Sequence, residues 1–188
     1  MNFTAANRQG DPIAQQALAR GAEMLSALLR QPVWIEGAAS DGYGCAPETD
    51  AGQARQLGVF IGISGDIQGA LLFVLNEAEV CWLLEPLLGP ITIPELLSEP
   101  ASSTIREVGN IFASGFLASL EEQLKVRALP APPQLETGTL EQLLRRYRRE
   151  DRVVGLTLCN KTSDKPVQLA TSLFLSSASR QRLFRRDR

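Results

Sequence analysis

The sequence contains no histidine. That single absence excludes Ser-His-Asp and Cys-His constellations, histidine general bases and histidine metal ligands. Cysteine is scarce. Cys45, Cys81 and Cys159 lie far apart, are odd in number and form no CxxC pair, so neither a zinc site nor a disulfide framework is indicated. They read as free, mostly buried thiols, which implies a reducing cytoplasm. Long apolar runs are missing too. The stretch at 70–75 is far too short to span a bilayer, and the polar start MNFTAANRQGDP lacks the apolar core of a signal peptide. No charge of one sign dominates. The 19 Lys and Arg against 21 Asp and Glu leave a net charge of −2, which gives no global electrostatic case for nucleic acid. The glycine-rich stretch at 37–52 has no Lys-Ser/Thr pair and is not a P-loop.

What is present is enough for a core. The chain has 188 residues, 44% of them hydrophobic, which suits one domain or two small repeated halves and excludes a disordered chain. Residues 1–10 read as a loose tail. Asp11-Pro12 is a helix start, with Asp as N-cap and Pro in the first helical position. Leu18, Ala22, Leu25, Leu28 and Leu29 then recur at helical spacing up to Pro32. A short strand at 33–36 and a mobile loop at 37–53 follow. Strands at 57–64 and 67–75 flank a tight turn at Gly65-Asp66. Asn76 caps a helix with the stripe Val80, Leu83, Leu84 and Leu87, stopped by Gly89-Pro90. A linker at 90–100 leads into a long helix from about Pro100 to Leu124, then an extended stretch at 125–129. Pro130, Pro132 and Pro133 are read as ending regular structure. An Arg-rich short helix at 140–149, strands at 153–159 and 167–175, a turn at 160–164 and a basic helix or tail at 178–188 complete the chain. The Arg clusters read as a solvated helix and a frayed tail, and Trp34 and Trp82 as core or sheet-edge residues.

The two halves repeat. Each reads long helix, short strand, insertion, strand, turn, strand, short helix, and 70–78 (ALLFVLNEA) aligns with 170–178 (ATSLFLSSA) with apolar residues in step. This predicts an α/β (α+β) fold with a pseudo-two-fold axis. Six strands would form one antiparallel sheet, with two long helices packed together on one side. The expected organisation is a single domain over 1–188, with a first repeat at about 11–89 and a second at about 98–186.

On the long helix, Ile105, Val108, Phe112, Phe116 and Leu120 share one face, the core side. Ser103, Glu107, Asn110, Ser114 and Glu121 fall nearly opposite. Glu107 and Asn110 are thus displayed by a rigid element, one anion beside one neutral amide. An amide can donate to one group and accept from a water, and so aim that water at an electrophile. Two plainer readings compete. Glu-x-x-Asn is ordinarily just a solvated face, or Glu107 could close a capping box with Thr104. The second would need the helix to begin at Thr104, although Ser98-Glu99-Pro100 is the stronger start signal.

The stretch resembles the active-site signature of the CheC/CheX/FliY phosphatases: Asp or Ser, three residues, Glu, two residues, Asn, twenty-two residues, Pro. Ser103, Glu107, Asn110 and Pro133 meet every spacing, and Glu-Val-Gly-Asn-Ile followed by small residues matches the local flavour. The resemblance implies a protein that hydrolyses the aspartyl phosphate of a CheY-like response regulator in the cytoplasm. Asn110 would orient the attacking water and Glu107 would pair with the regulator's Lys, with Ser103 and Pro133 supporting the motif. No cofactor would be bound by this chain, because Mg²⁺ and the phosphoryl group would come with the partner. The expected partner is the phosphorylated regulator, with no nucleic acid and no membrane; homodimerisation is left open. In the first half, Pro12 stands where Glu should be and Gln15 where Asn should be, so one site per chain is expected, as in CheX. A non-catalytic module of the same fold, as in the FliM middle domain, is the alternative. It is favoured if either side chain is buried or held in a cap.

Overall fold

The computed structural model of the chain describes residues 12–39, 54–91, 98–145, 152–160 and 167–184. In order these form α1 (Pro12–Leu29), β1 (Trp34–Ala39), β2 (Gln56–Gly65), β3 (Gly69–Leu75), α2 (Glu77–Leu88), α3 (Glu99–Leu124), β4 (Ala128–Pro130), β5 (Gln134–Gly138), α4 (Leu140–Arg145), β6 (Arg152–Asn160), β7 (Val167–Leu175) and α5 (Ser177–Phe184). The expected tail at 1–10, Asp11, most of the loop at 37–53, most of the linker at 90–100, most of the turn at 160–164 and Arg185, Arg186 and Arg188 lie outside the described residues.

All strands are antiparallel, in the order β1-β6-β7-β3-β2-β4, with β5 also paired to β2. The sheet therefore has seven strands rather than six. The prolines do not end regular structure, as the sequence reading had it. Pro130 closes β4, and the chain re-enters the sheet at Gln134 beside Phe60. Proline is tolerated there because the outer side of an edge strand needs no donor. Two short strands thus fill the place of the expected sixth.

The pseudo-two-fold is visible in the pairing. Aligning 70–78 with 170–178 sets Leu72 against Ser172, and these two residues face each other across β3 and β7. Equivalent features recur on both sides of that axis. Arg30 and Lys125, which follow α1 and α3, are the non-glycine residues with positive φ (52° and 55°) among those described. Ser26 Oγ accepts the Val33 N–H at 2.8 Å, and Glu121 Oε1 accepts the Ala128 N–H at 2.7 Å. Asn76 caps α2, and Ser176 Oγ accepts the Ser179 N–H (3.3 Å) at the start of α5.

The main core lies between the sheet and α1, α2 and α3. Alternation along β3 sends Leu71, Phe73 and Leu75 into it, while Leu72 and Val74 point to the other face. The stripe residues Leu18, Ala22, Leu25 and Leu29 of α1 and Val80, Leu83 and Leu84 of α2 are buried, with Leu28 and Leu87 packed at the margin. α1 and α3 run antiparallel in close contact. A Cβ on Gly21 would lie 2.7 Å from the Phe112 ring, and one on Gly115 would lie 3.2 Å from Arg20 O. Phe112 also meets Phe73 edge-on, with ring centres 4.9 Å apart.

A second, smaller core forms on the opposite face of the sheet. Leu143 of α4 packs with Phe60, Leu72, Val74 and Phe174, flanked by Leu140 and Leu144. A capping box starts α4: Thr139 N–H donates to Gln142 Oε1 (2.9 Å) and Gln142 N–H to Thr139 Oγ1 (3.3 Å). The described part of this helix reaches Arg145, and the remainder of the expected span, 146–149, lies outside the described residues. Trp82 and Cys81 are partly buried against the main core, and Trp34 begins the edge strand β1.

Candidate functional site on the long helix

The site rests on how α3 begins. Ser98 is the N-cap, with extended φ and ψ of −61° and 157°, and its Oγ accepts the Ala101 N–H. Pro100 lies in the first turn, where its missing N–H costs nothing. Thr104 is a full turn and more inside the helix, and its Oγ1 donates to Pro100 O at 2.8 Å. The capping-box reading of Thr104 and Glu107 therefore falls. Glu107 is not at N3, and two turns of helix stand ahead of it.

Periodicity then divides the residues. Ile105, Val108, Phe112, Phe116 and Leu120 are all buried, none more than 4% exposed. Ser103, Glu107 and Ser114 are exposed and Asn110 is half-buried. Among the described residues, no hydrogen bond or ion pair engages the side chain of Glu107 or of Asn110. The nearest cation along the helix, Arg106, is turned to Glu99 at 3.8 Å. The carboxylate and the carboxamide are therefore both available to a partner. Ser103 sits one turn before Glu107 on the same exposed face.

Glu121, placed by the sequence reading on that same polar face, is not free. It is the acceptor that ties the Ala128 N–H to the end of α3.

Pro133 is half-buried in the segment between β4 and β5. That segment is fastened to β2 by the Ala131 N–H, which donates to Gly62 O at 2.8 Å. Gly109, between Glu107 and Asn110, lies against Val59 and Ile61 of the same strand. β2 is thus the common support of both ends of the motif.

A separate open cleft of about 460 Å³ lies at the C-terminal end of α3, lined by Asp66, Leu124, Lys125, Val126 and Arg182. Asp66 takes the Arg127 N–H at 3.0 Å and faces the Arg182 guanidinium at 3.5 Å. The Arg127 N–H and then the Arg182 charge hold its carboxyl below the ordinary carboxylate range. The rise of the helix puts this cleft roughly 27 Å from Glu107, so the two are distinct. Among the described residues, no group of three His, Cys, Asp or Glu comes together as metal ligands. Among the described residues, no helix is long and apolar enough to cross a membrane.

No model of a known protein family matches the sequence. Solved structures do match the fold. FliY from Thermotoga maritima superposes with a TM-score of 0.70 over 93% of this chain and 91% of its own, at 15% identity. A chain of the CheX–CheY–BeF3–Mg²⁺ complex from Borrelia burgdorferi gives 0.63 over 89% of this chain and 99% of its own, at 13% identity. The chain has the CheC/CheX/FliY fold. A chain of the FliM–SpeE complex from H. pylori is similar too, with a TM-score of 0.63 over 93% and 92% at 11% identity.

Within the CheC/CheX/FliY fold, the first half of this chain offers no equivalent of the Glu107–Asn110 pair. Pro12 and Gln15 occupy the aligned places, both exposed, and Pro12 is the first residue of α1.

Proposed function

We propose that this protein is a phosphatase of a CheY-like response regulator, hydrolysing the aspartyl phosphate of its partner. The observation that carries the reading is the free display of Glu107 and Asn110 on the outward face of a firmly seated helix, in a chain of this fold. The likeness to a chain from a complex that contains CheY supports the class of partner.

The division of labour follows from the two side chains. The Asn110 carboxamide is neutral, so it can enter a site crowded with phosphoryl oxygens without charge repulsion. Its oxygen accepts from a water and holds that water in line with the phosphorus–oxygen bond to the partner's aspartate. As water oxygen bonds to phosphorus, the bond to the carboxylate breaks. The products are the free aspartate and inorganic phosphate, and the water's proton passes to phosphate or solvent. The Glu107 carboxylate pairs with the partner's Lys and fixes the docking geometry. The regulator brings Mg²⁺, which offsets the developing charge, and no intermediate forms on this chain. The work done here is positioning.

The test follows decay of a phosphorylated regulator with catalytic amounts of this protein. Asn110→Ala should lower kcat by roughly 100-fold, the scale of losing an aligned reactant. Glu107→Ala should act mainly through docking and raise KM by about tenfold. Absence of acceleration by the wild-type protein, or full activity in Asn110→Ala, would sink the phosphatase reading.

The second reading is a non-catalytic binding module. The likeness to a chain of the FliM–SpeE complex and the missing pair on α1 favour it. It requires that the protein bind a regulator without hastening decay, and that Asn110→Ala bind as the wild type does.

A further inference from the structure

We propose that Gly109 sets the depth at which the site helix sits on the sheet, and is thereby a positioning residue for Asn110; this rests on the phosphatase reading above. Glycine is a poor choice for the interior of an exposed-faced helix, because it loses more backbone freedom than alanine does. Its place here has a geometric reason. A Cβ on Gly109 would stand 3.1 Å from Val59 Cγ1 and 3.3 Å from Ile61 Cδ1, closer than comfortable carbon–carbon contact. The two neighbours project from the same face of β2, so α3 is braced at two points immediately before Asn110.

What yields under an added methyl decides the consequence. Val59 and Ile61 are 1% and 0% exposed. They stand on a strand paired to β3 on one side and to β4 and β5 on the other, and a β-branched side chain has little χ1 freedom. An apolar cavity of about 20 Å³ lies beside Val59 and Gly109, lined also by Leu25, Phe73 and Phe112, all three buried. The opposite face of α3 is open, with Ser103, Glu107 and Ser114 exposed. The helix therefore moves outward, by a few tenths of an ångström, and carries Asn110 with it. A displacement of that size matters for a group that must hold water in line with a bond.

The experiment compares wild type, Gly109→Ala and the pair Gly109→Ala/Val59→Ala, by decay kinetics of a phosphorylated regulator, melting temperature and crystallography of Gly109→Ala. Gly109→Ala should lower kcat about tenfold with KM within about twofold of wild type, and its Tm should not fall in proportion, since alanine favours the helix. Removing the Val59 methyls makes room for the new one. The pair should return kcat to within about threefold of wild type although its Tm drops below that of Gly109→Ala. Activity and stability moving in opposite directions is a result no purely structural role produces. Wild-type kcat in Gly109→Ala, no recovery in the pair, or a crystal structure with Val59 turned aside and α3 unmoved would each overturn the proposal. If the wild-type protein accelerates no regulator, the phosphatase reading fails, and the displacement in the Gly109→Ala structure still decides whether Gly109 sets the seating.

Discussion

Glu79 occupies N3 of α2, where its carboxylate accepts the Asn76 N–H at 2.7 Å while Asn76 Oδ1 accepts the Glu79 N–H at 3.0 Å. Burial pushes its carboxyl up to about 7, against the lowering effect of the Asn76 N–H. The folded state therefore favours the protonated acid. Its contribution is complete below the ordinary carboxyl range, declines as pH rises from about 4.5 towards 7, and is lost above that. The change is on the order of 2 kcal/mol after allowance for partial solvent contact. Glu79→Gln keeps both bonds of the capping box and removes the titration, so urea midpoints at pH 5 and pH 8 should differ less in the variant than in wild type. An unchanged difference would place the pH dependence elsewhere. Asp66 acts in the opposite sense and in another window, since its lowered carboxyl is protonated only at more acid pH. Thr171 offers a further check. Its Oγ1 is buried with no hydrogen-bond partner among the described residues. Thr171→Val should stabilise the protein by about 1 kcal/mol in urea titration, and a loss of stability would show that the hydroxyl is satisfied in solution.

At the level of elements, each long helix is fastened to the strand that follows it by one side-chain acceptor, Ser26 in α1 and Glu121 in α3. Val33 and Ala128, the donors, are buried, so deleting either acceptor strands an N–H. Ser26→Ala and Glu121→Ala should each cost about 1–3 kcal/mol. Glu121→Gln, which keeps the oxygen, should cost much less, and a urea series on the four proteins separates these outcomes. This latch also marks where sequence reading stopped. The helices were legible because leucines and phenylalanines recur at helical spacing over many turns, and α3 was bounded by Ser98 and Pro100. The repeat was legible because apolar positions in β3 and β7 stay in step. β5 was missed because Pro130, Pro132 and Pro133 argue locally for a break, whereas only the free edge of β2 reveals that the chain resumes pairing. The role of α4 was hidden for a similar reason. Leu140, Leu143 and Leu144 signal a helix but not which face of the sheet it covers. Glu107 and Asn110 could be named from spacing; that Gly109 lies on Val59 and Ile61 could not, since that contact spans two elements far apart in the chain.

Across the whole molecule, the two-fold through Leu72 and Ser172 relates one helix that carries the Glu–Asn pair to one that does not. Restoring the letters alone should not restore a site. Pro12→Glu/Gln15→Asn, built in an Asn110→Ala background, is expected to leave regulator decay at the Asn110→Ala rate. The helix start signal Asp11-Pro12 in the sequence would put that pair in a first turn, where helix ends fray and backbone N–H groups are unpaired. Recovery of activity in that variant would show that the turns ahead of Glu107 are dispensable.

The strand order has one more consequence. β1, from the first half, is hydrogen-bonded to β6 of the second, and β4 and β5, from the second, are hydrogen-bonded to β2 of the first. Each half thus lends its outer strand to the other, as two subunits do in a swapped dimer. Severed halves would not behave as two small proteins. They would be complementary fragments, each holding the other's missing edge.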